Sequence, residues 1–453
     1  MTKLKRLKII TVVLLVVIFF LGNTNLVQAK NNTKKIHKNI YIENIDVSNL
    51  TKEDAEKKIN NFINANKQIN LINGSSNYIL NLDSIEVNYN IKESVNYAYN
   101  LDKDKDFLSN AKTKINLDLG DKVNIKLDKT YNCKKINEFI DKLDETIKIE
   151  PINASIVKEG ENLVYKKEVY GSKLDRGKCK NIIINKINNM LYEKEQIPTI
   201  EIKPKYLYED LIKINSVLGT YETYFNPSIY NRVNNIEVGA NATSNIILNP
   251  TEEFSFNSYI NSEKISAKFK EAPVIVNGKL KDGLGGGICQ VSTTLYNAAL
   301  YAGLEITSIK NHSIPSSYIS KGRDATISTG DIDLRFKNNF ENPIFIVQNV
   351  YNNKIVSIIY GNEEYKKNIE VVTEVVKSVP YKIESKISNK LYEGEKSIYQ
   401  KGRKGYKVNT FRIYKENGEV VKELIRENYY PPMDKIVIYG TKKKVDNISG
   451  EVM

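Results

Sequence analysis

Gly283-Leu284-Gly285-Gly286-Gly287 runs without a break into Ile288-Cys289-Gln290 and the apolar stretch from Val291 to Leu300. Ile288, Val291, Leu295, Ala298 and Ala302 recur at helical spacing, and Gly303 offers the left-handed conformation that ends a helix. The pattern predicts a buried helix entered from a flexible loop, with Cys289 in its first turn. N–H groups without an intrahelical acceptor, together with the helix dipole, favour a thiolate there. The same N–H groups suit an oxyanion. The bland alternative makes Cys289 a small core residue and the glycines a tight turn. A phosphate-binding loop is disfavoured, because no Lys-Ser/Thr follows the glycines.

A nucleophilic thiol needs an imidazole beside it, and the chain has two histidines. His37 lies in a basic stretch and reads as a solvated linker residue. His312, in Lys310-Asn311-His312-Ser313, follows the strand-like Leu304 to Ile309. Asp324, in Gly322-Arg323-Asp324-Ala325-Thr326, is the first choice of carboxylate to orient the ring, and Asp333 is the alternative. One usable His and one Cys do not make a closed zinc site, so neither a metal nor an organic cofactor is expected. Cys133 and Cys179 each open a helical stretch and read as buried apolar positions or a disulfide pair, which leaves Cys289 as the odd thiol.

Lys3, Lys5, Arg6 and Lys8 precede the apolar run Ile9 to Leu21, followed by Val27-Gln28-Ala29. That order reads as a signal peptide over 1–29, with an uncleaved membrane anchor as the alternative. Residues 30–40 read as a tether. From 41 to 213 short strands alternate with amphipathic helices, giving two small α+β units at 41–114 and 115–213. The first helix is expected to start at Thr51 as N-cap, with Asp54 three residues on. Residues 214–360 are richer in Gly, Asn, Ser and Thr, as suits a functional region. Alternating strands punctuated by glycines follow at 365–441, an all-β module, and then a tail at 442–453. The net charge of +13 suits an anionic partner. It is spread along the chain without an Arg cluster interleaved with aromatics, so no nucleic acid is expected.

Leu218 to about Val347 closely resembles the VanW domain. The resemblance rests on Tyr230-Asn231-Arg232, Asn235-Ile236, Gly239-Ala240, Leu248-Asn249-Pro250, Glu253-Phe254-Ser255-Phe256-Asn257, Gly285 through Tyr296, His312 and Gly322 through Thr326. The upstream units resemble the peptidoglycan-binding repeats that often precede VanW domains, and the C-terminal stretch is similar to the G-five module. Some VanW members act as L,D-transpeptidases. The order Cys289, His312, Asp324 also resembles transglutaminase-type cysteine enzymes, which place the Cys at a helix start and the His and Asp on neighbouring strands. The resemblance therefore implies a transglutaminase-like α+β cysteine-enzyme domain with Cys289, His312 and Asp324 as catalytic residues. Substrate contacts are expected at Arg232, Gly286, Gly287, Gln290, Ser313 and Tyr318. The implied substrate is peptidoglycan, both stem peptides and glycan, met outside the cytoplasm by a secreted or membrane-anchored protein. A stem-peptide cysteine peptidase and a non-catalytic wall-binding protein are the alternatives. Because only residues 214–360 carry a thiol and an imidazole that can meet, residues 210–360 alone are expected to suffice for chemistry, with the flanking parts serving binding and reach.

Overall fold

The computed structural model describes residues 35–276, 279–328, 330 and 332–443. The expected signal segment, the start of the tether and nearly all of the tail lie outside them. Among the described residues no helix is long and apolar enough to cross a membrane. Two compact units divide the chain: residues up to Pro151 with Tyr170–Lys203, and Ile152–Val169 with everything from Pro204.

In the N-terminal unit the tether expectation fails from residue 35 on. Ile36 and Ile40 are fully buried in a core with Ala55, Ile59 and Val95, so this stretch is folded chain. His37 is half-buried, its ring 3.7 Å from Asp118, and is no solvated linker residue. Thr51 caps the helix Lys52–Ala65 by accepting from the Asp54 N–H, as the sequence indicates. The two successive units expected at 41–114 and 115–213 are interleaved instead. Strand Ile40–Ile42 pairs in parallel with Val123–Ile125, and Gln68–Asn73 pairs in parallel with Glu195–Gln196. Side chains Ile69, Leu71 and Leu80 from the early hairpin then share one core with Ile136, Ile140 and Ile183 from later helices. Alternation along a strand fixes which face is buried, but parallel partners lie far apart in sequence and leave no local mark.

The second unit begins with a hairpin, β1 (Ser155–Glu159) and β2 (Asn162–Lys166), that the sequence assigned to the preceding repeat. Its main sheet is antiparallel and ordered β3-β11-β10-β4, from β3 (Ser216–Tyr224), β4 (Ile246–Leu248), β10 (Ile344–Tyr351) and β11 (Lys354–Gly361). Strand β10 is buried on both faces, which explains its unbroken apolar start. Phe345 and Val347 point to the layer holding Ala154 and Ile156 of the hairpin, while Ile344 and Ile346 point to the central core. That core surrounds helix α2 (Ile288–Ala302), beside helix α1 (Tyr230–Ala242). A second sheet is ordered β5-β9-β8, from β5 (Glu253–Ser255), β8 (Glu305–Ser308) and β9 (Arg335–Lys337). The hairpin β6 (Glu271–Val276) and β7 (Lys279–Leu284) leads into the glycine run.

The C-terminal region is all β, as expected. One sheet is β12-β15-β16, from β12 (Glu370–Val379), β15 (Gly405–Glu416) and β16 (Glu419–Tyr430). The other is β13-β17-β14, from β13 (Ile383–Tyr392), β14 (Lys396–Gln400) and β17 (Lys435–Lys442). It is no separate appendage. Ile369 and Val371 belong to the core around α2, with Tyr414 and Ile425 packed against it.

Candidate active site

Helix α2 starts and stops where the glycines indicate. Gly287 is its N-cap at φ +118°, a backbone conformation that strains any L side chain, and a Cβ there would lie 3.1 Å from the Arg232 carbonyl. Gly303 ends it at φ +80°. The expected one-sided helix is instead buried almost all round, with only Cys289 and Tyr301 less than buried. Its polar residues are therefore matched to partners rather than to water. Ser292 Oγ donates to the Ala325 carbonyl at 2.9 Å, and Thr293 Oγ1 accepts from the Ala325 N–H at 2.9 Å. Asn297 donates to the Arg323 carbonyl at 2.9 Å and accepts from Arg323 Nε at 2.8 Å. These bonds lay the segment 323–327 alongside the helix and bring Asp324 and Thr326 to the first-turn cysteine.

His312 and Asp324 meet there. Both the His312 backbone N and the ring Nδ1 lie 2.7 Å from Asp324 Oδ2. With Nδ1 on the carboxylate, Nε2 is the ring nitrogen left to face Cys289, which lines the same cavity wall as His312. The thiol also sits 3.6 Å from Thr326 Oγ1 and from the Ile327 carbonyl. Burial works to raise the Cys289 thiol, yet the hydrogen bond and charge of His312 carry it below the ordinary thiol range. Burial likewise pulls His312 down, but Asp324 and Cys289 raise it to about 9. Asp324 is held below the usual carboxylate range, burial being outweighed by hydrogen bonds from His312 and Tyr430. The three groups thus favour a thiolate–imidazolium pair backed by an ionised carboxylate. Asp333, the alternative third member, is elsewhere: it accepts from Ser255 Oγ at 2.6 Å and from the Asn257 N–H at 2.9 Å.

Two cavities adjoin here, and Cys289 and His312 line the larger. The larger, about 510 Å³, is lined by Cys289, His312, Gly287, Arg232, Tyr318 and residues of the β6–β7 hairpin. The smaller, about 440 Å³, shares Arg232, Pro273, Gln290, Ser316 and Tyr318, and extends along Tyr224 to Ile229 and Ile314 to Ser317. Arg232 donates to Gln290 Oε1 at 2.8 Å, and among the described residues it forms no ion pair. Gln290 is also tied to Thr223 and the Tyr224 carbonyl. Two expected contacts are not brought into the cleft. Gly286 is packed against Ala272 and Pro273, with its carbonyl bound by Asn235, and Ser313 is exposed. Ser316, one helical turn from His312 in sequence, takes the nearby place at 3.3 Å from Nδ1. Tyr430, which bonds Asp324, lies 106 residues away and carried no signal in the sequence. Cys133 is exposed, Cys179 buried, and both are unpaired.

Three family models match successive stretches of the chain. A VanW-like protein model matches residues 231–360, the model described as "Putative peptidoglycan binding domain" matches 78–194, and a G5 domain model matches 370–442. Uncharacterized protein YoaR of Bacillus subtilis (strain 168) is 34% identical over 254 residues, 55% of this chain and 82% of that one. Vancomycin B-type resistance protein VanW of Enterococcus faecalis (strain ATCC 700802 / V583) is 30% identical over 161 residues, 34% of this chain and 58% of that one. Among solved structures, the IgA1 protease G5 domain is 30% identical, covering 17% of this chain and 95% of that one, with a TM-score of 0.14. Fold and matches together define a multidomain α+β protein of the cell wall, working outside the cytoplasm. The chain belongs to the VanW-like family.

Proposed function

We propose that the protein is a peptidoglycan L,D-transpeptidase, forming 3-3 cross-links through a thioester on Cys289, and that residues 1–29 export it or hold it at the membrane. The observation that carries this reading is the Cys289–His312–Asp324 cluster at the wall of one cavity, with a second cavity adjoining it across Arg232 and Gln290. The arrangement of a helix-start thiol with an imidazole and a carboxylate on later extended segments also supports a transglutaminase-type domain.

In the first half-reaction the Cys289 thiolate attacks the carbonyl of the third stem residue, with the charge on oxygen facing the Cys289 N–H, since those of Ile288 and Gln290 donate to the Gly285 and Gly287 carbonyls. The His312 imidazolium gives its proton to the departing D-Ala nitrogen, and the C–N bond breaks to leave the thioester. In the second, neutral His312 takes a proton from the side-chain amine of a neighbouring stem as that amine attacks. The C–S bond breaks, the thiolate returns and His312 is again an imidazolium. Asp324 holds Nδ1 and so fixes which nitrogen meets the thiol. Arg232 has a desolvated guanidinium, no carboxylate partner among the described residues and a place in the walls of both cavities, which suits a free carboxylate of a stem peptide. Gly287, Gln290 and Tyr318 would shape the cleft around it. Two adjoining cavities suit a donor stem and an acceptor amine, whereas hydrolysis needs only the first. The wall-binding and glycine-punctuated modules would hold the enzyme on glycan. Muropeptide profiles test the reading: loss of the gene should deplete 3-3 dimers, and the wild-type gene but not Cys289→Ala should restore them. Restoration by Cys289→Ala would refute it.

A further inference from the structure

We propose that the C-terminal glycine-punctuated module is part of the active centre, with Tyr430 as a positioning residue for Asp324; this rests on the Cys289–His312–Asp324 reading above. The module is matched as a domain of its own, at residues 370–442. Yet one face of its β15–β16 pair is spent on the loop that carries Asp324. Arg426, Asn428 and Tyr430 alternate along β16 and so share a face, opposite Thr410, Val408 and Tyr406 of β15 in the antiparallel register. Thr410 Oγ1 donates to the Gly322 carbonyl at 2.7 Å, and Arg426 donates to the carbonyls of Gly322 and Asp324 at 3.1 and 2.7 Å. Asn428 braces Thr410 Oγ1 at 3.0 Å. Gly322, at φ +89°, lies so close that a Cβ there would come within 2.8 Å of Thr410 Oγ1.

Tyr430 makes the contact that matters for chemistry. Fully buried, it accepts the Gly322 N–H at 2.7 Å and donates its own hydroxyl proton to Asp324 Oδ1. Asp324 Oδ2 is already taken by the His312 N–H and Nδ1. Without the Tyr430 hydroxyl, Oδ1 is a buried acceptor with no donor, and the ionised carboxylate loses one of the bonds that hold it. Asp324 then takes up a proton at higher pH, and the imidazolium loses its counter-charge over the same interval. The ionisable groups facing Asp324 are His312 and Tyr430 directly and Arg426 at its backbone, with Tyr296, Tyr318 and the Cys289 thiol beyond. Among them, Tyr430 is the hydroxyl that binds the carboxylate.

The test uses the whole exported chain and reads Cys289 alkylation by iodoacetamide against pH, located by peptide mass, alongside kcat and KM. Wild-type Cys289 should react well below the ordinary thiol range. In Tyr430→Phe the acid-side loss of reactivity should begin at higher pH, lowering the rate about tenfold or more in mild acid. The variant's kcat should fall while KM holds. Since Tyr430 acts through Asp324, adding Tyr430→Phe to Asp324→Asn should cost nothing further. If Tyr430→Phe fails to fold, Thr410→Val loosens the same loop through Gly322 and must move the limb in the same direction. A folded Tyr430→Phe with the wild-type profile, or a double variant in which the two losses multiply, overturns the proposal. Wild-type Cys289 that labels like an ordinary thiol and ignores His312→Gln removes the cluster reading itself, and this inference with it.

Discussion

Both units place a cysteine in the first turns of a helix, and the two thiols end in opposite states. Cys179, in the helix Arg176–Asn189 of the N-terminal unit, is fully buried and pushed up to about 11 by burial and by Asp175 beside it. Cys289 meets a burial penalty too, yet falls below the ordinary thiol range because His312 supplies a hydrogen bond and a charge. A helix start alone does not make a nucleophile. The imidazole decides, and what places the imidazole is a carboxylate on a segment laid along α2 by Ser292, Thr293 and Asn297.

The sharpest way to break the contrast is to exchange the two cysteines for alanine. Cys289→Ala should abolish turnover with a thermal transition near wild type, while Cys179→Ala should keep its rate and lose only packing. Turnover surviving in Cys289→Ala would erase the distinction. His312→Gln should come next, lowering kcat by about a hundred- to ten-thousandfold, as the loss of a general acid–base commonly does. A fully active His312→Gln enzyme would leave the thiol without its cause.

Cutting the chain tests the same contrast at the level of units. Removing residues up to 151 spares the β1–β2 hairpin packed on β10, and should leave turnover of soluble muropeptides within a few-fold of wild type while weakening binding to intact sacculi. Ending the chain at residue 360 should cost far more, because it strips Tyr430 and Arg426 from the Asp324 loop and uncovers the core beneath Ile369 and Val371. On this account residues 210–360 should not suffice, where the sequence alone leads one to expect that they do. A fully active protein ending at 360 would show the module to be dispensable.

The pH profile sharpens the role of His312. Transpeptidation should fall as pH rises through about 9, where the imidazolium that protonates the leaving amine is lost. Alkylation of Cys289, which needs no proton donor, should not fall there. Parallel alkaline limbs would remove His312 as the acid. A smaller effect than the loss of His312 is expected from Arg232→Gln, a rise of about tenfold in KM for stems with a free carboxylate and little change for amidated ones. Equal effects on both would make Arg232 a structural residue bound to Gln290.

The helix, its two glycine boundaries and the candidate trio of Cys289, His312 and Asp324 were legible because each depends on neighbours within a few residues or on the scarcity of histidine. That His312 meets Asp324, while Asp333 is spent on Ser255 and Asn257, shows only in long-range bonds. The full burial of α2 was hidden because Ser292, Thr293 and Asn297 look like a solvated face until their partners at 323–325 are known. The crossed pairing in the N-terminal unit, the docking of hairpin β1–β2 on the second unit and the role of Tyr430 were hidden for one reason: contacts between distant segments leave no periodic trace.

The most direct measurement gives protein lacking residues 1–30 a disaccharide-tetrapeptide and weighs the product. A dimer equal to two substrates minus one D-Ala is expected, with fragmentation placing the new bond between the third residues of the two stems and Cys289→Ala giving none. Tripeptide and free D-Ala alone, even at high substrate, would contradict transpeptidation and make the enzyme a peptidase.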